Sequence, residues 1–153
     1  MIADAAYLVA LAASSIWFGM AFRYFWFKAD SAARVMVAKS HRDTPIFETY
    51  TAGVKFLGGF NAAFTLMAVV LFVFGAADSD LFARAGERAT VLLVRGVAHA
   101  SQFAGNVPVL RGGERRADGA FWPVRQGPMR TIFVVDGLQT VLHVVAAALV
   151  LWA

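Results

Sequence analysis

The chain has 153 residues, of which 59% are hydrophobic and 14 are phenylalanine, which is more apolar surface than a soluble domain of this size can bury. The absence of cysteine excludes disulfides, cysteine-ligated metals, thiol catalysis and covalent c-type haem. The net charge of +4 does not indicate nucleic acid binding, because the basic residues cluster in segments between apolar runs.

Four apolar runs are long enough to cross a bilayer, which takes about 20 residues. The first has no basic residues at its start and continues into the aromatic and basic segment FRYFWFK, which is typical of a membrane interface, so we expect a retained span and not a cleaved signal. The third ends near the helix-breaking residues of NVP and RGG. The chain is therefore predicted to be all-α, a single-domain integral membrane four-helix bundle over 1–153, with spans at 5–27, 52–75, 88–110 and 129–152.

The charges of the connecting segments predict the topology. Basic residues are concentrated in and beside the first and third loops, whereas the second loop has only Arg84 and Arg88. The positive-inside rule then predicts that loops 28–51 and 111–128 are cytoplasmic and that both termini are outside. The predicted location is the inner membrane of a bacterium. Within the first loop, the segment DSAARVMVAKSHRD is equally compatible with a short interfacial helix and with a solvated loop.

Polar side chains form a stripe along the third predicted span. At 100° per residue, this stripe covers an arc of about 60°. A charged group facing lipid is costly, so we expect the stripe to face the bundle interior or a water-filled cavity. Its members are Arg95, His99, Gln102 and Asn106.

The fourth span carries a second stripe, within about 100°, and the second span adds Asn61 and Thr65. The first span adds only Ser14 and Ser15 at mid-depth. Lys55, near the cytoplasmic end of the second span, is expected to extend its ammonium group to the interface. The residues of the fourth-span stripe are Asp136, Gln139, Thr140 and His143.

Depth along the spans brings the two histidines together. His99 lies roughly 16 Å from the outer end of its span and His143 roughly 14 Å from the outer end of its own, so both are expected near the midplane. Asp136 is expected deeper, beside Gln102 or Asn106.

This arrangement leaves two interpretations open for the histidine pair. The first makes His99 and His143 the axial ligands of a b-type haem, and the second makes them interior histidines bonded to neighbouring polar groups. Arg95 and Asp136 are similarly expected either to grip a ligand or conduct protons, or to bond helices together. No serine lies in a nucleophile-elbow sequence, so the motifs do not predict a serine hydrolase, and no pattern assigns a reaction.

The leading functional hypothesis is an intramembrane polar site between spans 3 and 4 that binds a small ligand or cofactor, either quinone-like or haem b. The alternatives are a structural or accessory subunit of a larger membrane complex and a small proton-coupled transporter. Expected partners are membrane lipid and either a second copy of the chain or other membrane subunits, and not nucleic acid. The predicted ligand-binding residues are Arg95, His99, Gln102, Asn106, Asp136, Gln139, His143 and Asn61.

Overall fold

The computed structural model describes residues 1–112 and 124–153, which form five α-helices and no strand. Most of the predicted third loop, residues 113–123, lies outside the described residues. The all-α class is confirmed. The helices are α1 (Ile2–Phe27), α2 (Ala29–Met36), α3 (Pro45–Ala76), α4 (Ala85–Arg111) and α5 (Gly127–Leu151), with a short 3-10 turn at Lys39–His41 between α2 and α3.

Each predicted span corresponds to one long helix, but the helices are longer than the apolar runs. Pro45 lies at the start of α3, where its missing N–H costs no helical hydrogen bond, so the helix begins seven residues before the predicted 52. α4 continues through Pro108 to Arg111, beyond the expected stop at NVP. The side-chain amide of Asn106 donates to the carbonyl of Gln102 at 2.8 Å in this last part of α4.

Among the described residues, three helices are long and apolar enough to cross a membrane: α1, α3 and α5. The chain is therefore a multi-pass membrane protein by length and composition. α4 is not one of the three, because its central turns carry the polar residues of the predicted stripe, including Arg95 and His99, and these lower its mean hydropathy. The predicted third span is thus a long helix without the hydropathy of a span.

α1 is the central helix and packs against all four others. It runs antiparallel to α3, since Trp26 lies against Gly58 at one end and Tyr7 against Gly75 at the other. It runs parallel to α4, since Arg88 near the start of α4 bonds Asp4 near the start of α1 at 2.8 Å.

The α4–α5 pair is antiparallel, and glycines set its spacing. A Cβ added at Gly96 would lie 3.4 Å from the Cβ of His143, and one added at Gly137 would lie 3.0 Å from the ring of Phe103. The four long helices therefore alternate in direction along the chain, with the ends of α3 and α5 and the starts of α1 and α4 on the same side.

The first part of the first loop, Ala29–Met36, is helical, as one of the two interpretations expects, and this helix packs on α3. Ala29, Ala32 and Ala33 of α2 are buried against Phe47 and Val54 of α3. On the exposed face, Arg34 donates to Asp30 at 2.7 Å, and this hydrogen bond holds the pKa of the Asp30 carboxyl below its usual range.

The contact between α1 and α3 at Gly58 has no space for a side chain. A Cβ at this position would lie 2.9 Å from the backbone nitrogen of Trp26, which cannot rotate away. We predict that Gly58→Ala lowers the free energy of unfolding by about 1–3 kcal/mol, because the two helices must separate.

The measurement is denaturant unfolding of the detergent-solubilised protein. Gly53→Ala is the matched control, since it places the same methyl group on the same helix in open space. This control is expected to leave stability unchanged or to raise it by up to about 1 kcal/mol through helix propensity. Equal effects of the two substitutions would contradict the close contact.

Candidate polar site in the helix bundle

A cluster of buried polar side chains lies at the middle of the bundle. Ser14 is fully buried about 18 Å from the first residue of α1, and the other members come from the central turns of α4 and α5, except Asn106, which lies near the end of α4. All of them are less than one-tenth exposed, so their hydrogen-bonding groups must find partners inside the protein. The buried polar residues are Ser14, Arg95, His99, Asn106, Asp136, Gln139 and His143.

The guanidinium of Arg95 is bonded to α1 and α3 and is 0% exposed. Its Nε and Nη2 donate to Oγ of Ser14 at 3.1 and 2.7 Å, and its Nη1 donates to the carbonyl of Phe64 at 3.1 Å. It also lies over the rings of Phe18 and Phe64, 5.3 and 5.8 Å from their centres, where the negative ring faces attract a cation. Within residues 1–112 and 124–153, no carboxylate forms a direct ion pair with it.

Ser14 and His99 connect this cation to the carboxylate of Asp136. The Ser14 oxygen lies 3.3 Å from Nε2 of His99, and Nδ1 of His99 lies 2.8 Å from Oδ1 of Asp136. Because two N–H groups of Arg95 occupy both acceptor positions of the Ser14 oxygen, its own hydrogen must donate to Nε2. Nδ1 of His99 then carries the ring hydrogen and donates a hydrogen bond to Oδ1 of Asp136, so His99 is the neutral Nδ1–H tautomer in this arrangement.

The Asp136 carboxylate receives a second donor from α1. Nε1 of Trp17 donates to Oδ1 of Asp136 at 2.9 Å. The connected set Arg95–Ser14–His99–Asp136, which we call the polar relay, therefore begins with a cation and ends with an anion. Two neutral side chains bridge the opposite charges, and the outer hydrogen bonds, Arg95 to Ser14 and His99 to Asp136, are each strengthened by a charged group.

Ser14, His99 and Asp136 have the connectivity of a serine-hydrolase triad, which the sequence motifs do not predict. The chemistry differs, however. A nucleophilic serine needs a lone pair facing its substrate, whereas the Ser14 oxygen is 0% exposed and has both lone pairs bonded to Arg95. In this arrangement Ser14 is a bridge between charges.

Next to the relay, α5 presents two buried acceptors that have no partner. Nδ1 of His143 donates to the carbonyl of Gln139 at 2.7 Å, so its Nε2 is an acceptor. Neither this Nε2 nor Oε1 of Gln139 has a hydrogen bond among the described residues, and neither does the buried hydroxyl of Tyr7 on α1. Gln139 and His143 are one turn apart and so share a face of α5. A buried unbonded polar atom costs about 1–3 kcal/mol, and this makes the pair a candidate binding site.

The histidine pair does not have the geometry of haem axial ligands. The ring centres of His99 and His143 are 5.2 Å apart with an interplanar angle of 42°. Metal–imidazole bonds of about 2 Å on both sides of a metal would separate the ring centres by roughly 6 Å or more, with a porphyrin between them. Both nitrogens of His99 are also already bonded. The described residues contain no group of three or more metal-ligating side chains.

The structure brings together most of the predicted site residues, with two exceptions. Gln102 is exposed, because the buried face of α4 is centred near Leu92 and His99 and Gln102 lies at the edge of that arc. Asn61 is half-buried, and its amide donates to the carbonyl of Leu57 in its own helix. The interior stripe of α4 therefore excludes Gln102, and Asn61 is not bonded to the cluster.

Asp136 lies between Gln102 and Asn106 in height, but its carboxylate is bonded to His99. Gly137 packs on Phe103, so Asp136 is level with Ala104 in the antiparallel pair, and its carboxylate reaches back more than one turn of α4 to His99. Sequence reasoning missed the contribution of α1, where Ser14 and Trp17 bond to the relay. A tryptophan at mid-depth was the available signal, since tryptophan favours interfaces and its buried N–H needs an acceptor.

Comparison of the chain with protein-family models, with curated proteins and with solved structures finds no match. The geometry of these side chains is therefore the basis for assigning a function.

The relay predicts that alanine substitution at two adjacent serines of α1 has very different effects on stability. Ser14→Ala removes the acceptor of two Arg95 N–H groups and the donor to His99, leaving a buried charge without its bridge. We expect the free energy of unfolding to fall by about 3 kcal/mol.

Ser15→Ala is the control, because the Ser15 hydroxyl bonds only to the Leu11 carbonyl of its own helix, at 2.7 Å. Its effect is expected to stay within about 0.5 kcal/mol. Unfolding in detergent measures both variants, and a Ser14→Ala protein as stable as Ser15→Ala would show that the relay does not stabilise the bundle.

Proposed function

We propose that this chain is a small four-span membrane protein whose interior binds the hydroxyl-bearing head group of a small apolar ligand, with a quinol of the quinone class as the best fit. The observation that carries the proposal is the pair of unpartnered buried acceptors, Nε2 of His143 and Oε1 of Gln139. Hydroxyl donors of a quinol would satisfy these acceptors, and the surrounding apolar side chains suit its ring and tail.

The direction and packing of α4 support its role as the third of four spans. It has 27 residues, lies parallel to α1 and packs along α5. Its buried Arg95 and His99 face the bundle interior, as a membrane-embedded polar residue requires. Charge bias supports an inner-membrane location in a bacterium, with both termini outside and with 28–51 and 111–128 in the cytoplasm.

The proposed ligand enters from the side of Gln139. Among the buried polar residues Gln139 keeps the largest exposed fraction, 8%, whereas His143 keeps none. The head group would pass Gln139 first and then reach His143. Asp136, His99 and Arg95 hold the α4 and α1 walls of the site in place, and Asn106 lies one turn beyond the exposed Gln102.

Quinol binding tests this proposal. Decylubiquinol is titrated into the detergent-solubilised protein, and its Kd is measured by calorimetry. Gln139→Leu and His143→Phe each remove one acceptor while conserving most of the side-chain volume, so each is expected to raise Kd by about tenfold, which corresponds to about 1.4 kcal/mol.

The control is Gln102→Leu, which makes the same change at an exposed amide of α4 and should leave Kd unchanged. A wild-type protein that binds no quinol, or variants that all bind equally, would rule out the proposed site. Thermal unfolding of each variant separates a lost contact from a lost fold.

Haem binding is tested separately by the visible spectrum. The protein is purified from cells supplied with a haem precursor, and oxidised and dithionite-reduced spectra are recorded. We expect no Soret band, because His99 is bonded at both nitrogens and lies too close to His143. A Soret band that is lost in His143→Phe would favour the axial pair over the quinol site.

The proposed function and its alternatives differ in what covers the exposed apolar face of α3. α3 packs against α1 and α2 and exposes large apolar side chains, including Phe56, Phe60 and Leu66. Membrane lipid is the proposed partner of this face. An accessory subunit would place other membrane subunits there, and a proton-coupled transporter would need a second copy of the chain.

A further inference from the structure

A cavity of about 490 Å³ lies where α1, α2 and α3 meet, away from the polar relay. Lys28 and Lys55 line it, together with the hydroxyl-bearing Ser31 and Thr51 and the aromatic Trp26 and Phe27. The cavity therefore combines two cations and two hydroxyls with an apolar aromatic edge.

The two lysines lie at the same height in the bundle. Gly58 packs directly on the backbone of Trp26, so Lys55, about one turn before Gly58, is level with the end of α1 and Lys28. α3 has 32 residues, about 48 Å in length. Because the hydrocarbon core is about 30 Å thick, about 20 residues counted back from Ala76 cross it. Lys55 then lies at the level of the lipid head groups.

Three polar side chains of this cavity, those of Lys28, Lys55 and Thr51, lack a charged or hydrogen-bonding partner among the described residues. Among the described residues neither lysine forms an ion pair, and the buried Oγ1 of Thr51 has no hydrogen bond. The one carboxylate that lines the cavity, that of Asp30, is paired with Arg34.

We propose that this cavity binds the phosphate of an anionic phospholipid, with Lys28 and Lys55 on the phosphate, Thr51 donating to one of its oxygens, and Trp26 and Phe27 against the start of the acyl chains. A phospholipid has both a phosphate for the lysines and acyl chains for the aromatic side chains. The charged groups lie at head-group height, and the aromatic side chains face the apolar layer. The site does not depend on the interior quinol site.

The test measures thermal stabilisation of the detergent-solubilised protein by three probes: phosphatidylglycerol, phosphatidylcholine and inorganic phosphate. Phosphatidylglycerol is expected to raise the unfolding midpoint, and the concentration for half the effect defines an apparent Kd. Removing one lysine should raise this Kd about fivefold, and Lys28→Gln with Lys55→Gln about 30-fold.

Two matched controls separate the site from general surface charge. Lys39→Gln removes an exposed lysine outside the cavity and should not change the apparent Kd. Thr51→Val should weaken binding, whereas Thr49→Val should not, since the Thr49 hydroxyl already bonds to the Pro45 carbonyl.

The three probes distinguish the sources of the phosphate. Equal stabilisation by phosphatidylcholine would show that the site does not distinguish a negatively charged head group from one without net charge, and would overturn the proposal. Equal stabilisation by inorganic phosphate would assign the cavity to free phosphate and overturn the lipid source. An unchanged Kd in the double lysine variant would remove the site altogether.

Discussion

The bundle depends on how it accommodates the Arg95 guanidinium at its centre. Moving a charge out of water costs several kcal/mol, and a buried cation without compensation would destabilise any fold. Compensation comes from all four long helices: Ser14 of α1, the Phe64 carbonyl of α3, His99 of α4 and Asp136 of α5. The relay joins α1, α4 and α5, and the Arg95 hydrogen bond to the Phe64 carbonyl adds α3, so together these bonds constrain the relative rotation and height of all four helices.

Close helix packing surrounds this relay in two helix pairs, α1 with α3 and α4 with α5. The long side chains of Arg95 and His99 reach from α4 to Ser14, and glycines permit the close backbone approach within the two pairs. Gly96 allows α4 to lie on the Cβ of His143, and Gly58 allows α3 to lie on the backbone of Trp26. The small residues thus set the distances, and the polar groups set the register, which is the usual division of roles where lipid removes the hydrophobic drive between helices.

Periodicity and charge in the sequence predicted the long helices and the inward stripes of α4 and α5, because those signals are local to each helix. They could not predict which helix completes each hydrogen bond. Ser14 was one small polar residue in an apolar run, and only the packing of α1 at the centre makes it the bridge. At Gln102 the same local signal predicted an inward-facing residue that is in fact exposed. Gln102 lies within the same arc as His99, but the neighbouring helices do not cover it.

The completed hydrogen bonds of the relay limit which head group the proposed ligand could have. If Arg95 were unbalanced, an anionic head group would be the natural partner. Its charge is instead balanced through Ser14 and His99 by Asp136, so a further anion would meet an already neutral set. The unsatisfied atoms nearby are the acceptors of His143 and Gln139. Neutral hydroxyl donors complement these atoms, whereas a carboxylate or a quinone carbonyl would face them lone pair to lone pair.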